Sequence, residues 1–194
     1  MKKKRVFLAF TVGPIKPTAI KLKKLQEQLR TYRIKWVSTD NFHVTLFFFG
    51  ELTEEQIEFI QKHLHEALNN VQAFRFSING PDIFRNRQEA RVLWLGIEAL
   101  SQLTNLKNEI DKTLASLGYP SDNKAFQPHL TIGRFAPGQK DSTLLENTLN
   151  KWQSTDQFEY TAREIVLFES KQTQAGVKYY PIETFPLATE KTKK

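Results

Sequence analysis

The chain has 194 residues, of which 40% are hydrophobic and 25% charged, a composition typical of a globular protein with one packed core, or two small lobes that share one. It contains no cysteine, which excludes disulfides, thiolate catalysis and cysteine-based metal sites. The net charge of +7 comes mainly from MKKKR at the start and EKTKK at the end, so we expect short basic tails and a local anion-binding site.

The first half of the sequence alternates between β-prone and helical patterns. Its predicted elements are a strand at 5–12, a helix at 17–32, a strand at 42–49 and a helix that begins after Thr53. Gln56 follows Thr53 by three residues and completes a capping-box pattern. The first strand is too short for a signal peptide and has no cleavage site, and no apolar run could cross a bilayer, so we expect a cytoplasmic protein.

The second half repeats this order of elements. Its predicted elements are strands at 73–78 and 90–97, a helix at 100–117, a strand at 129–135, a short helix at 142–152 and strands at 163–170 and 177–187. The order strand, helix, strand, helix therefore occurs twice, which indicates two similar lobes related by a pseudo-twofold axis. We expect a single α+β domain over residues 1–194.

One short motif occurs at the same place in both halves. The stretches FHVTLFFFG (42–50) and PHLTIGRF (128–135) each hold a histidine and a threonine two residues apart within an apolar strand. Residues i and i+2 of a strand point to the same face, so His43 shares a face with Thr45, and His129 with Thr131. If the pseudo-twofold brings the two strands together, two imidazoles and two hydroxyls converge.

This set of side chains suits chemistry at a phosphorus centre. One imidazole can remove a proton from an attacking water while the other protonates the departing oxygen. The threonine hydroxyls can donate hydrogen bonds to the non-bridging oxygens, whose charge the transition state must stabilise. We expect no metal and no other cofactor. The residues alone leave open which histidine is the acid and which is the base.

The motifs resemble a known family. The segments that carry the resemblance cover nearly the whole chain: RVFLAF, NFHVTLFFFGEL, RVLWLGI, FQPHLTIGRF, IVLFES and FPL. They are similar to those of the 2H phosphoesterases, and more closely to the bacterial and archaeal RNA 2′,3′-cyclic phosphodiesterases, also called 2′-5′ RNA ligases. The resemblance implies a bilobal fold around a central cleft, and hydrolysis of 2′,3′-cyclic phosphate ends of RNA to 2′-phosphates, with 2′-5′ ligation as the reverse reaction. It makes His43 the proton donor to the 3′ oxygen and His129 the base.

Three further residues are candidates for substrate binding. Arg134 matches the phosphate-contacting arginine of the family, although strict alternation puts it on the face opposite His129, and Gly133 could allow a bulge that turns it back. A surface ion pair is the alternative for Arg134. By alternation Phe47 and Phe49 lie on the His43 face, where either could stack on a nucleobase or serve as core or cleft wall.

Other functions fit the same residues. A 2H phosphoesterase could act on a smaller substrate, such as a cyclic nucleotide, a cyclic phosphate of ADP-ribose or a 2′-5′ oligonucleotide. A module that binds RNA phosphates without turnover is the alternative from another class, and the presence of both histidines favours an enzyme. The sequence indicates no membrane contact and no obligate protein partner.

Overall fold

The computed structural model describes residues 2–13, 16–98, 101–121, 124–140, 142–152, 158–174 and 176–189. The α-helices in these ranges are Lys16–Gln28 (α1), Glu54–Leu68 (α2), Ser101–Ser116 (α3) and Thr143–Asn150 (α4). The strands are Lys4–Thr11 (β1), Ile34–Trp36 (β2), His43–Leu52 (β3), Phe74–Asn86 (β4), Glu89–Glu98 (β5), His129–Phe135 (β6), Phe158–Ala162 (β7), Glu164–Thr173 (β8) and Gly176–Pro186 (β9). Leu100, where the third helix was expected to begin, and the basic segment 190–194 lie outside the described residues.

The strands form one antiparallel sheet, which confirms the α+β class. Its order is β7-β4-β5-β6-β3-β1-β8-β9, with β2 added beside β6. The two strands that carry the motifs, β3 and β6, are neighbours at the middle of this order, and Val44 pairs with Leu130 between them. The halves predicted from the sequence repeat therefore join at the two motifs.

The helices pack on one face of this sheet. All four contribute buried leucines or isoleucines to a core cluster that also contains Val6, Leu8 and Phe10 of β1. Helix α2 begins as predicted: the Thr53 hydroxyl accepts from the Gln56 N–H at 3.3 Å, and the Gln56 side chain accepts from the Thr53 N–H at 2.9 Å. The apolar spacing that predicts the first helix includes Ile20, but Ile20 is 63% exposed.

The opposite face of the sheet has a smaller apolar cluster. It consists of Phe7 and Ala9 of β1 with Val166 and Phe168 of β8, and Tyr179 packs against it. Strand β1 thus sends alternate residues to the two faces, as a strand buried on both sides does. The site described below opens on this second face, and residues of α3 line one of its two cavities.

Candidate active site

The four motif side chains lie on one face of the sheet at the junction of its halves. Val44 and Leu130 face each other and are fully buried in the main core. Side chains alternate along each strand, so the residues on either side of this pair point the other way. The side chains of His43, Thr45, His129 and Thr131 therefore project together on the side opposite this buried pair.

A β-bulge in β6 brings Arg134 to the same face. Trp94 of β5 pairs with Thr131, but the next residue of β5, Leu93, pairs with Gly133, so one residue of β6 is extra at this point. The extra residue reverses the alternation, and Arg134 is exposed on the histidine face. The bulge considered from the sequence is confirmed. Gly133 is needed for a different reason, since a Cβ there would lie 2.6 Å from Cγ2 of Ile34 in β2.

A second bulge, in β3, overturns the predicted placement of the phenylalanines. Leu8 of β1 pairs with Phe47 and Ala9 pairs with Thr45, which leaves Leu46 as the extra residue. The bulge turns Phe47 away from the His43 face, and the alternative of core or cleft wall describes it: Phe47 is 7% exposed in the main core and lines the cavity beside His129, and Phe49 packs beside it at 4.8 Å between ring centroids. Phe48 takes the cleft face instead and is 52% exposed.

The imidazole of His43 is fixed at its backbone-facing nitrogen. Nδ1 lies 2.7 Å from the carbonyl oxygen of Asn41, and because a carbonyl only accepts, Nδ1 carries the proton. The neutral ring therefore has its lone pair on Nε2. Burial lowers the pKa of His43 below 6.5, the hydrogen bond to Asn41 opposes this, and the charges of His129 and Arg134 lower it further.

His129 has the same arrangement in the other half. Its Nδ1 lies 2.8 Å from the carbonyl oxygen of Gln127, which sets the same tautomer. Burial lowers the pKa of His129 below 6.5, the hydrogen bond to Gln127 opposes this, and Arg134 adds to the lowering. The ring of Phe84 meets the imidazole edge to face, with 4.7 Å between the centroids. Both histidines thus present Nε2 as the nitrogen available for proton transfer.

Two cavities flank the histidines and share a wall. One, of about 500 Å³, is lined by Arg5, His43, Arg134 and Tyr179 among others, and the other, of about 660 Å³, by Phe84, Lys107, Lys124 and His129 among others. Thr45 and Phe48 line both. The guanidinium of Arg5 lies 4.9 Å from the centre of the Phe48 ring. The cleft therefore offers cationic and aromatic groups on both sides of Thr45.

Sequence reasoning missed three of these residues. Arg5 was counted with the basic tail, but it lies in β1, two residues before Phe7, and therefore shares the face of Phe7. Strict alternation puts Phe48 on the face opposite His43, because the bulge at Leu46 leaves no signal in the sequence. Tyr179 belongs to no motif. The sequence signal is that Tyr179 and Tyr180 are adjacent in a β-prone segment, so their side chains point to opposite faces.

Neither metal-binding clusters nor membrane-spanning helices occur in the described ranges. No group of three or more histidine or acidic side chains there is arranged to hold a metal ion. No described helix is both long and apolar enough to cross a bilayer.

Comparisons with known proteins agree on one family. The family model of the 2′-5′ RNA ligase superfamily matches residues 17–174. An RNA 2′,3′-cyclic phosphodiesterase of Aquifex aeolicus is 34% identical over 96% of this chain and 99% of its own length. Another from Thermotoga maritima is 36% identical over 67% of this chain and 69% of its own length.

Solved structures share the fold. The protein TT0787 of Thermus thermophilus superposes with a TM-score of 0.75 at 24% identity, covering 96% of this chain and 100% of its own. LigT of E. coli, crystallised with 3′-AMP, gives a TM-score of 0.74 at 21% identity, covering 96% of this chain and 99% of its own. At these identities the likeness extends to the architecture of the sheet and helices.

Proposed function

The chain belongs to the 2′-5′ RNA ligase superfamily, with the RNA 2′,3′-cyclic phosphodiesterases as its relatives, and we propose that it hydrolyses 2′,3′-cyclic phosphate ends of RNA to 2′-phosphomonoesters without a metal ion. The observation that carries this proposal is the matched pair of histidines, each with Nδ1 held by a backbone carbonyl and Nε2 left for proton transfer. One neutral and one protonated imidazole are sufficient for acid–base hydrolysis.

The proposed reaction moves one proton at each histidine. His129, neutral at Nε2, takes a proton from water as the water oxygen bonds to phosphorus. The bond from phosphorus to the 3′ oxygen breaks, and protonated His43 gives its Nε2 proton to that oxygen. The products are a 2′-phosphomonoester and a 3′-hydroxyl, with His129 protonated and His43 neutral until both exchange with solvent. This assignment follows the family resemblance, since the two tautomers are equivalent.

In this proposal, three other side chains stabilise the negative charge on the phosphate oxygens. The hydroxyls of Thr45 and Thr131 donate to non-bridging oxygens, and the guanidinium of Arg134 offsets the charge that builds on them. The support is that all three lie on the histidine face, Arg134 through the bulge in β6. With a 5′-hydroxyl in place of water as the nucleophile, the same groups form a 2′-5′ linkage, and the 3′ oxygen again leaves as a hydroxyl.

Phe48 is the proposed base-stacking residue, in place of Phe47 and Phe49. A half-exposed phenylalanine beside a catalytic histidine presents a π-face that any nucleobase can stack on. Because Phe48 lines both cavities, a base on either side of the phosphate could reach it.

The test uses an oligoribonucleotide that ends in a 2′,3′-cyclic phosphate, with EDTA present. We expect complete conversion to the 2′-phosphomonoester, identified by its phosphorus NMR signal, while the internal 3′-5′ linkages stay intact. A 3′-phosphate product, or turnover that requires added metal, contradicts the proposed mechanism. Faster turnover of cyclic mononucleotides than of the oligonucleotide favours the small-substrate alternative, and tight binding without turnover favours the RNA-binding module.

A further inference from the structure

Tyr179 occupies a place in the cleft that the acid–base scheme does not use. It lies on β9 and lines the cavity of about 500 Å³ together with His43 and Arg134. The next residue, Tyr180, points elsewhere: it is 43% exposed, and the ammonium of Lys171 lies 5.0 Å from its ring centre. Of these two adjacent tyrosines, Tyr179 is the one that contacts His43.

The ring of Tyr179 encloses the imidazole of His43 on one side. The two centroids are 4.9 Å apart and the planes meet at 81°, an edge-to-face contact. Phe7 contacts both rings, 5.0 Å from His43 and 4.9 Å from Tyr179 between centroids, so the three rings form a triangle. With Nδ1 bonded to the Asn41 carbonyl, the imidazole has one orientation that keeps all three contacts. The ring of Tyr179 therefore restricts the direction in which Nε2 points.

The hydroxyl of Tyr179 lies in a cationic part of the same cavity. Burial raises its pKa above 10.0, and the positive charges of Arg134 and Arg5 oppose this, so the group stays a neutral O–H at neutral pH. Within the described residues, no hydrogen bond joins this hydroxyl to another group. A neutral donor in a cavity that two guanidinium groups also line suits an anionic acceptor such as a phosphate oxygen.

We propose that Tyr179 is a positioning residue for His43 through its ring and a substrate-binding residue through its hydroxyl, which donates to a non-bridging phosphate oxygen beside Arg134. The inference rests on the proposed function for the identity of the phosphate. It also means that the two histidines have different surroundings, since among the described residues a tyrosine hydroxyl lies beside His43 alone. His129 is enclosed by Phe84 and Trp94, at 4.7 Å and 6.0 Å between centroids, and neither ring carries a hydroxyl.

Two substitutions separate the two roles. Tyr179→Phe keeps the ring and removes the hydroxyl, so we expect KM for the cyclic-ended oligonucleotide to rise by about tenfold with kcat unchanged. Tyr179→Leu removes the ring as well, so kcat falls in addition. The matched controls Tyr180→Phe and Tyr180→Leu should leave both constants at the wild-type values.

A proton NMR titration of the four histidines tests the positioning role without substrate. In Tyr179→Leu, water reaches the imidazole, and the midpoint of His43 moves up toward 6.5 while that of His129 does not change. Tyr179→Phe should titrate like the wild type. Phe7→Leu removes the other ring and should also raise the titration midpoint of His43. This variant provides the test if Tyr179→Leu fails to fold.

Each result decides one part of the proposal. An unchanged His43 midpoint in a folded Tyr179→Leu or Phe7→Leu variant overturns the positioning role. An unchanged KM in Tyr179→Phe overturns the hydroxyl contact. If the wild type shows no turnover, the proposed function fails, and the hydroxyl contact is then decided by the affinity of wild type and Tyr179→Phe for adenosine 2′-monophosphate. Equal affinities overturn it, and a loss of about tenfold supports it.

Discussion

The tautomer of each motif histidine follows from one backbone contact. Asn41 and Gln127 stand two residues before His43 and His129, and each offers its carbonyl oxygen to Nδ1. This fixes Nε2 as the reacting nitrogen in both rings and makes either ring able to give or take a proton. The geometry at Nδ1 is the same in both rings. The pKa values of the two histidines in the free enzyme therefore decide how often one ring is neutral while the other is protonated.

The pH dependence of kcat/KM should reflect the lowered pKa of both histidines. Activity needs one neutral and one protonated ring, so kcat/KM should be bell-shaped. Burial and Arg134 lower both pKa values below 6.5, so both limbs should lie below a pH of about 6.5. Above that pH the acid loses its proton and kcat/KM should fall about tenfold per pH unit.

The measurement is kcat/KM for the cyclic-ended oligonucleotide from about pH 4 to pH 8.5, at constant ionic strength. A flat profile up to about pH 8 would contradict the assignment of a lowered histidine pKa to the acid. The two midpoints of the bell should match the midpoints found for His43 and His129 by NMR.

At the scale of strands, bulges decide which side chains reach the cleft. Alternation predicts the faces of His43, Thr45, His129 and Thr131, because these residues precede the extra residue in their strands. Beyond the bulges the same rule places residues on the wrong face, as it did for Phe47. Bulges arise from pairing with a neighbouring strand, here β1 or β5, and that pairing is not encoded in the period of one segment.

The same cause explains most differences in element boundaries. The strand predicted at 73–78 covers only the part of β4 with strict alternation, and β4 continues to Asn86 through a bulge opposite β5. Strands β2 and β7 were not predicted at all, since three and five residues carry little periodic signal and depend on β6 and β4 for pairing. Helices α2 and α3 were predicted within a few residues because their apolar faces are long and periodic.

Replacing Phe48 tests the consequence of the β3 bulge. We expect Phe48→Ala to raise KM for the cyclic-ended oligonucleotide by roughly 5- to 150-fold, the effect of losing one stacked base. The control is Phe59→Ala on α2, since Phe59 is 48% exposed, close to the 52% of Phe48, but packs against His63. Steady-state kinetics of both variants provide the comparison. Equal KM values for Phe48→Ala and wild type would show that no base stacks there.

At the scale of the whole molecule, the internal repeat is the feature that assembles the site. Each half of the sheet contributes one histidine, one threonine and an aromatic enclosure, and the halves meet where β3 pairs with β6. The sequence predicted this convergence because both motifs occur in equivalent places. It also gave Arg134 as a phosphate contact, but it did not predict Arg5, which was counted with the basic tail although it lies in β1.

The central claim is that His43 and His129 act together as one acid–base pair, and the rates of their single and double alanine variants test it most directly. Removing either partner should lower kcat for the cyclic-ended oligonucleotide by roughly 10²- to 10⁴-fold. Groups that act as a unit give non-additive losses, so His43→Ala/His129→Ala should be no slower than the slower single variant by more than a few-fold. Circular dichroism and thermal unfolding should show that all three variants keep the fold. Near-normal rates in either single variant, or losses that multiply in the double variant, would contradict the account.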